Sequence, residues 1–93
     1  MESEWGPRKA AKNLRNHRVS FNEAATVFDD PLGTTVPDPD HSLTEDRYIT
    51  VGMSSRRRLV MVAHTERGER TRIICARGLT GAEREAYEEE TQK

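Results

Sequence analysis

A chain of 93 residues has room for one domain, here spanning 1–93, and equal shares of hydrophobic and charged residues, 33% each, leave it a thin core. Conformational entropy then consumes most of what such a core supplies, so support from a partner chain is favoured. No window approaches about 18 consecutive apolar residues, and MESEWGPRKAAKN contains no apolar leader, which argues against membrane insertion and for a cytoplasmic protein. Cys75 is the sole cysteine, so no disulfide forms within the chain; its place in an apolar run reads as a small core residue.

Pro7 at a first helical position, followed by good helix formers to His17, predicts a short helix with Ala10, Ala11 and Leu14 on its apolar side and Trp5 packed before it. Ser20-Phe21-Asn22-Glu23 fits a capping box, with Val19 and Ala24 placed as a hydrophobic staple. Phe21, Ala24, Ala25 and Phe28 line one face of the helix that follows, and Asp29-Asp30-Pro31 ends it. Leu32–Val36 is a weak strand, Pro37 to Ser42 a polar loop in which His41 is structural, and Arg47–Gly52 a better strand. Arg56, Arg57 and Arg58 read as a solvated turn.

Between Arg58 and Arg77, two apolar runs around Gly68 predict a β-hairpin whose turn spans Thr65–Arg70. Alternation places Leu59, Met61 and Ala63 on one face of the first strand and Val60, Val62 and His64 on the other. On the second strand Ile73, Cys75 and Arg77 share a face opposite Arg72, Ile74 and Ala76, unless a bulge intervenes. A second capping box, Thr80 to Glu83, opens a helix running to about Glu90. The expected class is therefore α+β, with a small antiparallel sheet of three to four strands, two N-terminal helices and one C-terminal helix.

Net charge is only −1, but it is segregated. Residues 5–18 carry five bases and no acid, residues 20–46 seven acids and no base, and residues 54–77 seven arginines against Glu66 and Glu69. Such blocks can fold into a basic face that meets a polyanion. His17, His41 and His64 lie far apart, and no metal-binding or nucleotide-cradling motif occurs, so neither metal nor cofactor is expected. What remains is chemistry by imidazole and guanidinium, sufficient to cleave RNA by deprotonating a 2′-hydroxyl and stabilising charge on phosphate. His64 with Arg67, Arg70, Arg72 and Arg77 in the hairpin, joined by Arg47, is the candidate set.

Trp5-Gly6-Pro7 with Lys9, Asn13 and His17, then Val19-Ser20-Phe21 with Glu23-Ala24, begin a series that Phe28-Asp29-Asp30-Pro31 continues. Arg47-Tyr48-Ile49 with Gly52, His64-Thr65-Glu66-Arg67, and Arg72-Ile73-Ile74-Cys75-Ala76-Arg77 with Glu83 and Tyr87 complete it. In order and spacing this resembles the BrnT family, the toxin component of type II BrnT/BrnA toxin-antitoxin systems. The resemblance implies a RelE-like fold and a ribonuclease that stops translation until a BrnA-like ribbon-helix-helix antitoxin binds it in a hetero-oligomer. DNA would be reached only through that antitoxin.

On this reading His64 is the general acid or base, and Arg47, Arg67, Arg72 and Arg77 bind phosphate and stabilise the transition state. Lys9, Lys12, His17 and Arg70 bind RNA. Gly6, Asn16, Arg18, Cys75 and Gly78-Leu79 depart from the family pattern. Arg18 stands where a left-handed Gly is usual, which implies strain of about 1 kcal/mol or a different turn. These departures keep a second reading open, a non-catalytic or attenuated adaptor that binds an antitoxin-like protein or nucleic acid.

Overall fold

The computed structural model describes residues 2–39 and 46–91; His41 and the centre of the Pro/Asp loop lie outside the described residues. In chain order the elements are β1 (Glu2–Glu4), α1 (Pro7–His17), α2 (Phe21–Thr26) continued by a 3₁₀ turn (Val27–Asp29), β2 (Thr34–Pro37), β3 (Arg47–Met53), β4 (Leu59–Arg67), β5 (Arg70–Gly78) and α3 (Gly81–Thr91). The strands form one sheet in the order β1-β5-β4-β3-β2. It has five strands rather than three to four, and it is mixed, because β1 pairs with β5 in parallel while the other pairs are antiparallel. No helix among the described residues is long and apolar enough to cross a membrane.

One sheet face carries the core. Val60 and Val62 of β4 with Ile73 and Ala76 of β5 pack beneath Val19, Phe21, Ala24 and Val27, and Trp5 meets the Phe21 ring edge-on at 6.0 Å. Gly52 lets Val27 and Asp30 approach β3, since a Cβ there would lie 3.1 Å from each of their side chains. The β4–β5 turn is tighter than expected. Arg67 pairs with Arg70, leaving Gly68-Glu69 as a two-residue loop in which Gly68 takes the positive φ of 61° that such turns require.

The pairing of β4 with β5 shifts between Ala63 and His64: Ala63 opposes Cys75 while His64 opposes Ile73, leaving Ile74 as an extra residue in β5. Directly opposed residues share a face. Ile73 and Ala76 therefore both point to the core, while Arg72, Cys75 and Arg77 share the other face. Strict alternation separated Arg72 from Arg77 and buried Cys75; the bulge joins the arginines and leaves Cys75 exposed.

α1 docks at this irregularity through a polar side chain. Asn13, not Leu14, is its buried residue, and Leu14 is 49% exposed. The Asn13 amide donates to the carbonyls of Ala76 and Val19, both at 2.9 Å, and its oxygen accepts the Ala76 N–H at 3.0 Å. Asn13 thus extends the sheet's hydrogen bonding along the edge of β5 beyond the end of β1. Arg18 ends α1 in the left-handed conformation, φ 59° and ψ 27°, so the side chain is tolerated where Gly is usual.

Only half of the first capping box forms. Ser20 Oγ accepts the Glu23 N–H, but the Glu23 carboxylate turns inward to Ser54 Oγ at 2.7 Å and to the Arg58 guanidinium. Arg58 also donates to the Arg18 carbonyl, so it is a structural cation rather than part of a solvated run. The second box is complete, with Thr80 and Glu83 each bonding the other's backbone N–H. Replacing Asn13 by Ala strands one buried N–H and two carbonyls. We expect a loss of about 2–4 kcal/mol, seen as a Tm lowered by roughly 10–25 °C in thermal circular dichroism. A fall under about 4 °C would show that α1 docks without these bonds.

Candidate nucleic-acid interface

The face opposite the core carries most of the hairpin's cations. In register, Arg47 of β3 opposes Thr65 of β4, Thr65 opposes Arg72 of β5, and Arg72 lies beside Glu4 of β1. These four residues form a row across the sheet, with the two arginine Cα atoms two strand spacings, about 10 Å, apart. Arg67 and Arg70 sit two residues further along their strands and oppose each other on the same face.

Ion pairing divides these cations. Arg70 lies 3.2 Å from Glu2 and 3.6 Å from Glu4, and Arg47 Nε lies 3.3 Å from Asp38. Among the described residues Arg67 and Arg72 make no ion pair. Arg77 shares the face but is held by both oxygens of Glu83, at 2.8 and 2.9 Å, which ties β5 to α3. That guanidinium, helped by the Thr80 N–H, pulls the Glu83 carboxyl down to about 2. Lys9, Lys12 and His17 project from exposed turns of α1 and, with Asn16, Ile74 and Cys75, line a separate groove of about 270 Å³.

His64 does not join the arginines. It lies on the core face, 2% exposed, with the Phe28 ring edge-on at 4.9 Å and Tyr48 stacked at 6.0 Å. The face is set by β4 alternation, which places Thr65 with Arg47 and Arg72 and His64 behind them. Nε2 is 2.7 Å from Thr50 Oγ1, itself 2.7 Å from Thr35 Oγ1. Nδ1 is 3.1 Å from Glu66 Oε1 but off the hydrogen-bond direction. With Nδ1 facing a carboxylate, that nitrogen carries the proton, Thr50 donates to Nε2, and Thr35 donates to Thr50. Thr35, Thr50 and Glu66 carry no pattern in the sequence that marks them; only strand register reveals them.

Burial holds the His64 pKa below its ordinary 6.5, with Glu66 pulling the other way. Below pH 6.5 the unfolded chain takes up this proton more readily than the folded one, so stability is full above that pH and declines as pH falls. We expect an NMR titration midpoint for His64 under 6.5, moving lower still in Glu66→Gln; a midpoint above 6.5 contradicts the buried placement.

Among the described residues no cluster of His, Cys, Asp and Glu is placed to hold a metal ion. No curated protein sequence matches the chain. The crystal structure at 1.1 Å of the Brucella abortus ribonuclease toxin BrnT shares its fold, with a TM-score of 0.67 at 17% identity over 86% of this chain and 99% of that one. The family model described as the ribonuclease toxin BrnT of type II toxin-antitoxin systems matches residues 5–83. The sequence match spans the N-terminal helices, the hairpin and Arg47, Thr65 and Arg72 of the row, and the chain belongs to the BrnT family of type II toxin-antitoxin ribonuclease toxins.

Proposed function

We propose that this chain is a metal-independent endoribonuclease that inhibits translation by cutting RNA, with its reaction centre on the Arg47–Thr65–Arg72 row. The observation that carries this reading is the strand register, which lines up Arg47, Thr65 and Arg72 on the face that Arg67 and Arg70 also occupy. In-line attack of a 2′-oxygen on the adjacent phosphorus breaks the bond to the 5′-oxygen and builds negative charge on the non-bridging oxygens. Guanidinium groups fixed on a sheet meet that charge without reorganising. Arg47 and Arg72 take the scissile phosphate, and Arg67 and Arg70 a neighbouring one. Of the four residues in the row, Glu4 alone can accept the 2′ proton; the departing 5′-oxygen is protonated from water.

His64 serves from behind the sheet in this scheme, fixing β4 against β3 rather than touching RNA. Arg77, committed to Glu83, anchors α3. Lys9, Lys12 and His17 guide the flanking strand along α1. In the cytoplasm a BrnA-like ribbon-helix-helix antitoxin would neutralise the toxin in a hetero-oligomer of RelE-like architecture and carry the pair to DNA. The family supplies the toxin-antitoxin setting; the identity of the partner and the RNA substrate are our reading.

Arg72→Ala should lower cleavage of a defined RNA by about 10²–10³-fold and relieve growth arrest, with Tm little changed. EDTA should leave the wild-type rate untouched. Salt-sensitive RNA binding without cleavage would instead favour the adaptor reading, and unimpaired growth with intact RNA on wild-type expression would sink the toxin reading.

A further inference from the structure

Thr65 occupies the centre of the arginine row, and its hydroxyl is anomalous. Oγ1 is shut off from solvent and has no hydrogen-bond partner among the described residues. A buried hydroxyl left unpaired is costly, and at a strand position Val has the same shape, a higher strand preference and no polar atom to satisfy. The other core-side and row hydroxyls of this region are engaged: Thr35 with Thr50, Thr50 with His64, and Thr71 with Glu66. Thr65 alone among these four holds a donor in reserve.

Its neighbours say what the donor is for. Arg47 stands directly across one ladder and Arg72 directly across the other. The Arg72 guanidinium rests beside Gly6, and an anion that draws it back over the sheet toward Arg47 sits over Thr65. The residue is half-buried, so its side chain borders the face, and one χ1 step exchanges the hydroxyl with the methyl group.

We propose that Thr65 is a third donor of the reaction centre, giving its O–H to a non-bridging oxygen of the phosphate held by Arg47 and Arg72. The two arginines supply charge; Thr65 supplies a short, directional bond from a strand backbone that cannot move. The ligand class is a phosphodiester, and the contact strengthens as the oxygens gain charge in the transition state. This inference rests on the ribonuclease reading given above.

The test compares the full chain with Thr65→Val and Thr65→Ser for single-turnover cleavage of a defined single-stranded RNA, for RNA affinity and for Tm. Thr65→Val should keep or raise the Tm, weaken RNA affinity by at least about 5-fold and slow cleavage about 100-fold, the usual effect of one oxyanion donor. Thr65→Ser, which keeps the hydroxyl, should stay within about 5-fold of wild type. Wild-type cleavage by Thr65→Val, or equal loss in both variants with a lowered Tm, overturns the assignment. If the wild-type chain binds RNA without cutting it, the ribonuclease reading fails separately. The hydroxyl contact then stands on an affinity loss of at least about 5-fold in Thr65→Val alone, and falls if the affinities agree. A wild-type chain that neither binds nor cuts RNA overturns both.

Discussion

One extra residue in β5 governs what the sheet shows to solvent. From Arg70 to Ile73 the strand presents one phase of its alternation, and from Cys75 onward the opposite phase, with Ile74 absorbing the change. Without it, keeping Ile73 in the core would send Ala76 outward and Arg77 inward, placing a guanidinium under Phe21. Burying that charge unpaired would cost more than the fold could bear. The bulge lets a single strand feed the core with Ile73 and Ala76 while both its flanking arginines stay on the polar face.

β1 pairs with β5 only as far as Arg72, which leaves the outer edge of β5 without a strand partner at Ala76, and Asn13 meets that need. Its amide copies the donor and acceptor of a peptide group, so α1 joins the edge of β5 as though it were a further short length of strand. The Val19 carbonyl, bound by the same amide, fixes the link between α1 and α2. Glu23 performs a similar service in the first turn of α2, gathering Ser54 and Arg58 and thereby the β3–β4 turn. The apolar core is small, and these two satisfied polar centres orient the helices that cover it. That division of labour suits a chain with as many charged as hydrophobic residues.

Locally determined features were legible in the sequence. Pro7, the Ser20 cap, the Thr80–Glu83 box and Gly68 act within a few residues of themselves, and each element they delimit is present. β1 was not legible, since Glu2-Ser3-Glu4 has no apolar pattern and is a strand only because β5 offers an edge. The helix face of α1 misled for a related reason: Ala10, Ala11 and Leu14 mark the apolar stripe, yet the partner beneath it is exposed backbone, which selects Asn13. The hairpin's cations were recognisable as a group, but their division between faces depended on the bulge. His64 and the arginines are neighbours in sequence and stand back to back in space.

α3 is built on different terms from the rest. Among its described residues none is buried; Arg77 and the Tyr87 hydroxyl on the Leu32 carbonyl at 2.9 Å hold it in place, leaving an apolar cleft between it and Ile49, Val51 and Met61. Elements with so little buried area open far below the free energy of global unfolding. Backbone amides of α3 are therefore expected to exchange with solvent ahead of those in β4, and such an opening would further bare three half-buried apolar side chains, Ile49, Val51 and Met61. The molecule thus has one face locked by Asn13 and Glu23 and another on which a lightly held helix stands over a half-open apolar surface.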